Sequence, residues 1–509
     1  MQSEGLTWVD FGYKTGIGGI PREYYRRMKA HYDSRANWRF SEKEDYPFIH
    51  HRDDCMWQLE PHVAEQVFER MLAECGIEVK RGELLNRDNG VVKDGAKINS
   101  IETLNQNVYA AQVFIDATFE GDLLSSAGVS YTVGREGNDK YGETINGVQL
   151  ENAHSHQFEA DISAYIVPGD PRSGLLPNVH GDDPGRQGEG DRRLQAYNFR
   201  ICMTQVEENR VPFPKPDDYD PLNYEILGRY LDAGFRNLYR KFDPVPNGKT
   251  DTNNFGAFST DFIGENYDYP EATYERREEI YLAHKNYTQG LLWYLANDPR
   301  VPEEVRARMS RWGLCRDEYL DNDHWPRQLY IREARRMVSD FVITELHIRR
   351  ILPSPRPICI GTHNMDSHHA QRYVDADGYV RNEGDVQVSP GGPYPIDFGA
   401  MTPKKEEVSN LLVVAALSAS HIAYGSVRME PVFMAIGQAA ALAASIAISD
   451  NVCVQDVSYP KLKDALVSKG QILEMPNNWD WRADWPGRDS NPNSQPTAEQ
   501  LEWPNSTTS

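Results

Sequence analysis

The sequence contains little positive charge for its length. Its 54 Lys and Arg residues are outnumbered by 76 Asp and Glu residues, which gives a formal net charge of −22 over 509 residues. A chain with this balance repels phosphate backbones and anionic lipid surfaces. The composition therefore excludes a nucleic-acid-binding protein.

Cysteines and long hydrophobic runs are equally scarce. The six cysteines form no C-x-x-C pair, which excludes a zinc knuckle and a disulfide framework and predicts isolated thiols. The longest apolar stretches, residues 411–417 and 439–448, are shorter than the roughly 18–20 residues of a membrane helix, so we expect no membrane span. Residues 1–19 lack the basic start and apolar core of a secretion signal, which favours the cytoplasm for the chain as written.

Regular patterns are present near both ends of the chain, and the middle is irregular. Between residues 136 and 410, proline, glycine and aromatic residues are frequent, whereas residues beyond about 475 show no periodicity and predict an irregular tail. A short strand is predicted at 77–79, and a hairpin from 98–104 and 108–116. Helices are predicted at 20–32, 61–76, 273–295, 301–312, 328–350, 410–419 and 431–448.

Two segments carry patterns that suit a nucleotide. In residues 113–129 an apolar strand is followed by Asp116, Ala117 and Thr118, then by Gly121 and Asp122 at the start of a short helix. This is where an open α/β sheet binds a nucleotide, although an ordinary strand–turn–helix corner has the same pattern. In residues 418–444 a helix begins at Pro431, and its amino end suits an anion or an electron-rich ring edge. A buried, alanine-rich core helix is the alternative for this second segment.

A third segment, residues 361–369, concentrates groups that transfer protons. His363, Asp366 and His368 are the candidate catalytic residues in this segment, because histidine titrates near neutral pH. A zinc site is the alternative, but the spacing is not that of a compact tetrahedral site, so we expect no metal. A loop that satisfies its own hydrogen bonds is equally compatible with the sequence. Three arginines on the predicted helix 328–350, at positions 332, 335 and 336, either clamp an anionic substrate or pair with carboxylates.

These segments together resemble a known family. The resemblance runs in order from residue 5 to about residue 473, through residues 16–25 (GIGGIPREYY), 60–74, 115–136, 332–341, 364–369 (NMDSHH) and 420–444. The sequence resembles the FAD-dependent oxidoreductases with a glutathione-reductase-like flavin-binding domain. Some members of that family have xanthan-lyase-like names.

The resemblance implies an α/β fold with a doubly wound FAD-binding domain and an inserted, loop-rich α+β substrate domain. The flavin domain would comprise residues 1–135 and 405–473, the substrate region residues 136–404, and the tail residues 474–509. The resemblance also implies FAD as cofactor and a small-molecule substrate, possibly carbohydrate-related. The residues it places near FAD are Gly18, Gly19, Asp116, Ala117, Thr118, Gly121, Asp122, Ser426, Arg428, Met429, Glu430 and Gly437.

One expected part of the family pattern is missing from the sequence. A G-x-G-x-x-G turn between a strand and a helix, with an acidic residue about 20 positions later, holds the pyrophosphate and ribose in such folds. Gly16, Gly18 and Gly19 follow no strand and do not have this spacing. The opening of the chain resembles an internal stretch of relatives, so we expect Met1 to correspond to an internal methionine, with about 30–40 residues, one βαβ unit, missing through gene-model truncation, an alternative start or real loss.

Three functions follow as hypotheses. The first is an FAD-dependent oxidoreductase that transfers hydride or electrons between a small organic substrate and flavin. The second is a carbohydrate-active, lyase-like protein, since aromatic residues of the middle region can stack on sugars. The third is a non-catalytic relative that has lost the FAD fingerprint.

Overall fold

The computed structural model describes residues 14–46, 48 and 54–475. The helices are α1 (Gly19–Asp33), α2 (Pro61–Glu74), α3 (Asp122–Ser126), α4 (Asn138–Tyr141), α5 (Glu225–Asp232), α6 (Tyr274–Asn297), α7 (Glu303–Met309), α8 (Glu345–Ile348), α9 (His421–Val427), α10 (Glu430–Asp450) and α11 (Tyr459–Ser468). The strands are β1 (Val91–Asp94), β2 (Lys97–Glu102), β3 (Val108–Ala110), β4 (Phe114–Asp116), β5 (Tyr131–Thr132), β6 (Ile201–Thr204), β7 (Arg210–Val211), β8 (Phe242–Val245), β9 (Lys249–Thr252), β10 (Gly313–Cys315), β11 (Arg336–Met337), β12 (Pro357–Gly361), β13 (Met365–Ser367), β14 (Gln371–Val374), β15 (Val380–Glu383), β16 (Val386–Val388), β17 (Tyr394–Asp397) and β18 (Leu411–Val413).

Helices with a complete local pattern form where the sequence predicts them. α1 buries Tyr24, Tyr25, Met28 and Tyr32, whose three-to-four spacing gives one apolar face. α2 begins at Pro61, which suits a first helical turn because its missing N–H needs no partner there. α6 also confirms the predicted helix near residues 273–295.

The longest apolar helix, α10, lies in the core. It packs against α1, α11 and β12, and its alanines allow this close approach. By length and composition alone, α10 is the helix of the described residues that could cross a membrane, yet 56% of its apolar window is buried inside the fold.

The strands form several small sheets. The largest has five strands in the order β7-β10-β6-β9-β8, with antiparallel pairing throughout. β4 and β18 form a parallel pair, with Phe114 opposite Leu411 and Asp116 opposite Val413. Within the described ranges β4 has no other strand partner, and Ile115 on it is 39% exposed.

Two large hydrophobic cores divide the molecule. The first, which we call the terminal core, is built from α1, α2, β12, β17, α9, α10 and α11. The second, the middle core, surrounds the five-stranded sheet with α5, α6 and α7. The mixed helices and strands are compatible with the predicted α/β class, while the doubly wound sheet and the domain limits stay predictions.

Several sequence-based assignments are wrong. Residues 410–419 contain strand β18 instead of a helix, because this apolar run is fully buried and pairs with β4. Residues 328–350 contain only β11 and the short α8, since buried arginines there are held by ion pairs from other parts of the chain. Residues 77–79 form no strand, and the hairpin's second strand ends at Ala110, with β4 separate. The thiols of Cys202 and Cys315 lie 3.6 Å apart, so this pair is not isolated.

Candidate functional site

A buried histidine lies between two carboxylates just after β13. β13 pairs with β16, and Asp366 is one of its three residues. The Nδ1 atom of His368 lies 2.8 Å from Asp261 Oδ2, and its Nε2 atom lies 3.6 Å from Asp366 Oδ2. His363 Nε2 lies 3.8 Å from the same Asp366 oxygen. The structure thus brings the three predicted residues together and adds Asp261 to them.

Both carboxylates of this cluster are stronger acids than usual. Burial opposes the ionisation of Asp366, but His368 and Arg428 more than offset it, so its pKa lies well below the ordinary value. Burial also opposes the ionisation of Asp261, yet Arg332 and His368 lower its pKa to about 2. Both groups therefore carry negative charge at neutral pH and hold cations around them.

Two arginines and a tyrosine extend the cluster towards α10. Arg428 Nη2 lies 3.3 Å from Asp366 Oδ2, and Arg428 Nη1 donates a 3.3 Å hydrogen bond to the Tyr330 hydroxyl. Arg332 lies 2.8 Å from Asp261 and 5.1 Å from the centre of the Tyr330 ring. The phenol is thus flanked by two guanidinium groups. We call the set His363, Asp366, His368, Asp261, Tyr330, Arg332 and Arg428 the histidine–arginine cluster.

This cluster retains donors that it does not use. The Nε atoms of Arg332 and Arg428 are buried and have no hydrogen-bond partner among the described residues. α10 begins at Glu430, two positions beyond Arg428, and its N-cap residue Met429 provides no side-chain cap. The first N–H groups of a helix lack intrahelical partners and form the positive end of its dipole. Unused donors beside a helix amino end suit a ligand with negative charge.

Close packing of α9 on β13 holds the cluster in place. A side chain at Gly425 would overlap the backbone carbonyl of Asp366, so only glycine allows this approach. Ser426 Oγ donates a 2.5 Å hydrogen bond to the His363 carbonyl and lies 2.6 Å from the Tyr394 hydroxyl. Ser426, predicted to approach the flavin, is therefore also the residue that positions His363.

A serine, a histidine and a glutamate lie in line behind β13. Ser367 Oγ is 3.0 Å from His421 Nε2, and His421 Nδ1 is 2.6 Å from Glu333 Oε2. All three residues are at most 2% exposed, so a substrate has no access to the serine. We assign this line a structural role, fixing β13 to the amino end of α9.

The predicted cofactor residues after β4 form a tightly bonded turn. The Asp116 carboxylate accepts hydrogen bonds from the Thr118 N–H and hydroxyl and from the Leu124 N–H. Gly121 has a positive φ of 64°, which glycine adopts without strain. Asp122 contacts three arginines, Arg87, Arg277 and Arg335. Ala117 lies in the same turn, at the carboxyl end of β4.

Gly18 and Gly19 begin α1 beside the middle of α10. A side chain at Gly18 would overlap the Gly470 carbonyl, and one at Gly19 would overlap the side chain of Gln438. Both glycines line a cleft of about 860 Å³ that also contains Arg22, Arg26 and Lys469. Gly437 on α10 faces open space, since nothing lies within 4 Å of where its Cβ would be.

A family model described as FAD dependent oxidoreductase matches residues 1–466. The chain belongs to this family. FAD is accordingly its cofactor, and a general flavin-dependent redox function follows from the family. No curated protein and no solved structure matches the chain.

The described residues suit the flavin ring of FAD better than its pyrophosphate. The unpartnered Arg428 Nε and the uncapped start of α10 fit the electron-rich edge of a flavin ring. The cleft beside Gly18 contains basic side chains, but Arg22 and Arg26 there already pair with Asp54. Among the described residues, however, the turns after the parallel strands β4 and β18 contain one glycine, Gly121, and not the three-glycine fingerprint.

A second charged cluster lies between the amino-terminal helices and the five-stranded sheet. The Lys249 ammonium group lies 2.8 Å from Glu60, 2.8 Å from Asp317 and 2.6 Å from Glu318. Glu60, His62 and Glu318 are close enough together to hold a metal ion, but the ammonium group already contacts both carboxylates. We call this group the lysine cluster.

Sequence reasoning missed two members of the histidine–arginine cluster. Asp261 and Tyr330 lie in loops without a distinctive motif. Asp261 is 107 positions from His368, so only the fold shows that they pair. For Arg332 the sequence leaves an anion clamp and pairing with a carboxylate open, and the structure shows the pairing, with Asp261, from an irregular segment instead of a helix.

Proposed function

We propose that the protein is a flavin-dependent oxidoreductase whose substrate is held by the histidine–arginine cluster. The observation that carries this proposal is the Asp261–His368–Asp366 arrangement beside Arg428 and the start of α10. This arrangement puts a proton-transfer group beside the position where the family resemblance puts the flavin ring. The substrate would be a small organic molecule with an oxidisable C–H bond.

His368 is the proposed proton acceptor. Asp261 binds Nδ1 and so orients the ring, and Nε2, which faces Asp366 at 3.6 Å, is the nitrogen proposed to exchange a proton with substrate. FAD, when bound, supplies the hydride or electron acceptor. Arg428 and the amino end of α10 stabilise negative charge next to it. Tyr330 orients the substrate through its hydroxyl group, and Arg332 holds Asp261 in place.

FAD binding by the chain tests the cofactor half of the proposal. The purified protein is titrated with FAD while flavin fluorescence is measured, and Arg428→Gln is compared with Arg306→Gln, which removes an exposed ion pair on α7. We expect Arg428→Gln to weaken binding about tenfold or more, since a hydrogen bond to a charged group is worth about 1.5–3 kcal/mol. Equal affinity of both variants would contradict the proposed ring position.

Substrate oxidation tests the catalytic half. The FAD-loaded protein is mixed without oxygen with a panel of hydroxy acids, sugars and amines, and the loss of yellow flavin absorbance is followed. We expect at least one class to reduce the flavin in the unmodified protein and to react much more slowly with His368→Gln. Equal rates in the two proteins would show that His368 does not take the proton.

The carbohydrate-lyase hypothesis is the second candidate. A tyrosine, a histidine and two arginines in one cluster also suit proton removal next to a carboxylate, with the arginines neutralising the acid. Against it stands the net charge of −22, which repels polyanionic chains. Formation of unsaturated sugar ends from an acidic polysaccharide in the absence of flavin would favour the lyase.

A further inference from the structure

Two of the six cysteines meet inside the middle core. Cys202 lies on β6 and Cys315 on β10, neighbouring antiparallel strands of the five-stranded sheet. Their Sγ atoms are 3.6 Å apart although the residues are 113 positions apart in the chain. Cys202 is 4% exposed and Cys315 is fully buried, and Tyr319 packs against both.

The pairing register places the two residues opposite each other. Gly313 pairs with Thr204 and Leu314 with Met203, so the next pair along the strands is Cys315 with Cys202. Opposed residues of an antiparallel pair project to the same face of the sheet. The two thiols are therefore neighbours because of the register itself, not because of flexible side chains.

We propose that Cys202 and Cys315 form a reversible internal disulfide. Among the described residues, this is the pair of cysteine sulfurs found within hydrogen-bond distance of each other. The cross-link would join β6, the central strand of the sheet, to its neighbour β10.

The backbone geometry allows a disulfide between the two strands. The Arg316 N–H donates a hydrogen bond to the Asn209 carbonyl, on the β7 side of β10. Because the N–H and C=O groups of successive strand residues point to opposite neighbours, those of Cys315 point towards β6. Opposed residues of this bonded type have Cα atoms about 5.5 Å apart, within the usual disulfide range of about 4.4–6.8 Å.

The oxidation is balanced by thiol–disulfide exchange with a small disulfide such as oxidised glutathione. One cysteine thiolate attacks the small disulfide and releases one thiol, and the second cysteine then attacks the mixed disulfide and releases the other. Burial raises the pKa of Cys202 well above its ordinary value, so few thiolates exist in the closed sheet. The reaction therefore takes place while the sheet forms or opens.

Refolding in the presence of oxidised glutathione tests the proposal. The full chain is unfolded, refolded with or without oxidised glutathione, and analysed by thiol counting and by peptide mapping without reductant. We expect two thiols to disappear, a peptide linking Cys202 to Cys315, and a rise of the thermal midpoint by roughly 5 °C, because a closed long loop restricts the unfolded chain. Dithiothreitol should reverse all three changes.

Alanine variants separate this site from the other cysteines. Cys202→Ala and Cys315→Ala should each abolish the rise of the thermal midpoint, whereas Cys75→Ala with Cys453→Ala should preserve it, because those two residues lie outside the core. Six free thiols after oxidative refolding, or a cross-link that includes Cys75 or Cys453, would overturn the proposal. Thiol counting and peptide mapping of the unmodified chain distinguish these outcomes even if an alanine variant fails to fold.

Discussion

The lysine cluster and the histidine–arginine cluster are both buried and charged, but they differ in how completely their groups are paired. In the lysine cluster, the three donors of the Lys249 ammonium group meet three carboxylates. Glu60 also accepts hydrogen bonds from Tyr32 and Asn247. In the histidine–arginine cluster, two guanidinium Nε atoms have no partner among the described residues.

This difference separates a structural cluster from a candidate site. A fully paired set of buried charges fixes two segments to each other and offers nothing to a ligand. Unused buried donors cost free energy in the free protein, and a ligand that completes the set would remove this cost. The lysine cluster joins the terminal and middle parts of the fold, whereas the histidine–arginine cluster lies where α9, α10 and β13 meet.

The largest expected effect comes from Lys249→Met. It leaves Glu60 and Glu318 buried without their cation, and we expect a loss of about 3–5 kcal/mol in the free energy of unfolding. Chemical denaturation measures it. Lys461→Met is the control, because it breaks only an exposed pair with Asp450 and should change stability by about 0.5 kcal/mol or less. Similar losses in both variants would mean that the lysine cluster is not the structural joint inferred above.

His368→Gln should act on catalysis instead of stability. We expect substrate-dependent flavin reduction to fall roughly 100-fold, the low end for removal of a proton-transfer group, with FAD affinity unchanged. Anaerobic stopped-flow kinetics measures the rate, and His154→Gln, at an exposed histidine, is the control. A pH–rate profile that keeps its shape in His368→Gln would argue that the residue only supports the fold.

Acid should lower the stability of the fold, because buried histidines near the histidine–arginine cluster are held in the neutral form. Burial lowers the pKa of His369 to about 3 and those of His156 and His284 to about 4. Since the unfolded histidines titrate near 6.5, the unfolded state gains protons first, and stability falls as pH drops from about 6.5 to about 4. Protonation of His284 in the unfolded state should by itself lower the free energy of unfolding by about 2 kcal/mol at pH 5 relative to pH 7.

Denaturation curves at pH 7 and pH 5 for the unmodified chain and for His284→Gln measure this contribution. The variant should lose less stability between the two pH values than the unmodified chain. An equal pH dependence in both proteins would show that His284 does not stay neutral in the folded state.

The smallest effect is expected for Asp385→Asn. Asp385 is 1% exposed, and burial together with the neighbouring Asp366 raises its pKa well above the ordinary value, which favours the neutral acid in the folded state. A neutral acid can be replaced by its amide at a cost of about 1 kcal/mol or less at pH 7, since no charge is removed. A loss comparable with that of Lys249→Met would show that Asp385 is ionised and paired.

Local sequence patterns predicted part of the fold and part of the site. α1, α2, α6 and α10 formed as predicted because each has its own apolar spacing and start residue. The histidines and the aspartate of residues 363–368 were found because they are adjacent in the chain. The helix predictions for residues 328–350 and 410–419 were wrong, because burial and strand pairing, not helix propensity, decided the conformation of these segments.

The sequence by itself determined the charge, the family, the lack of a dinucleotide fingerprint in the chain, and the helices whose pattern is local. Only the tertiary structure decided that Asp261 binds His368, that Lys249 gathers three carboxylates, and that Cys202 faces Cys315. The physical reason is the distance along the chain over which each interaction acts. Helix periodicity and turn chemistry act over a few residues, whereas ion pairs and strand register join residues that are distant in sequence and meet only when the chain is compact.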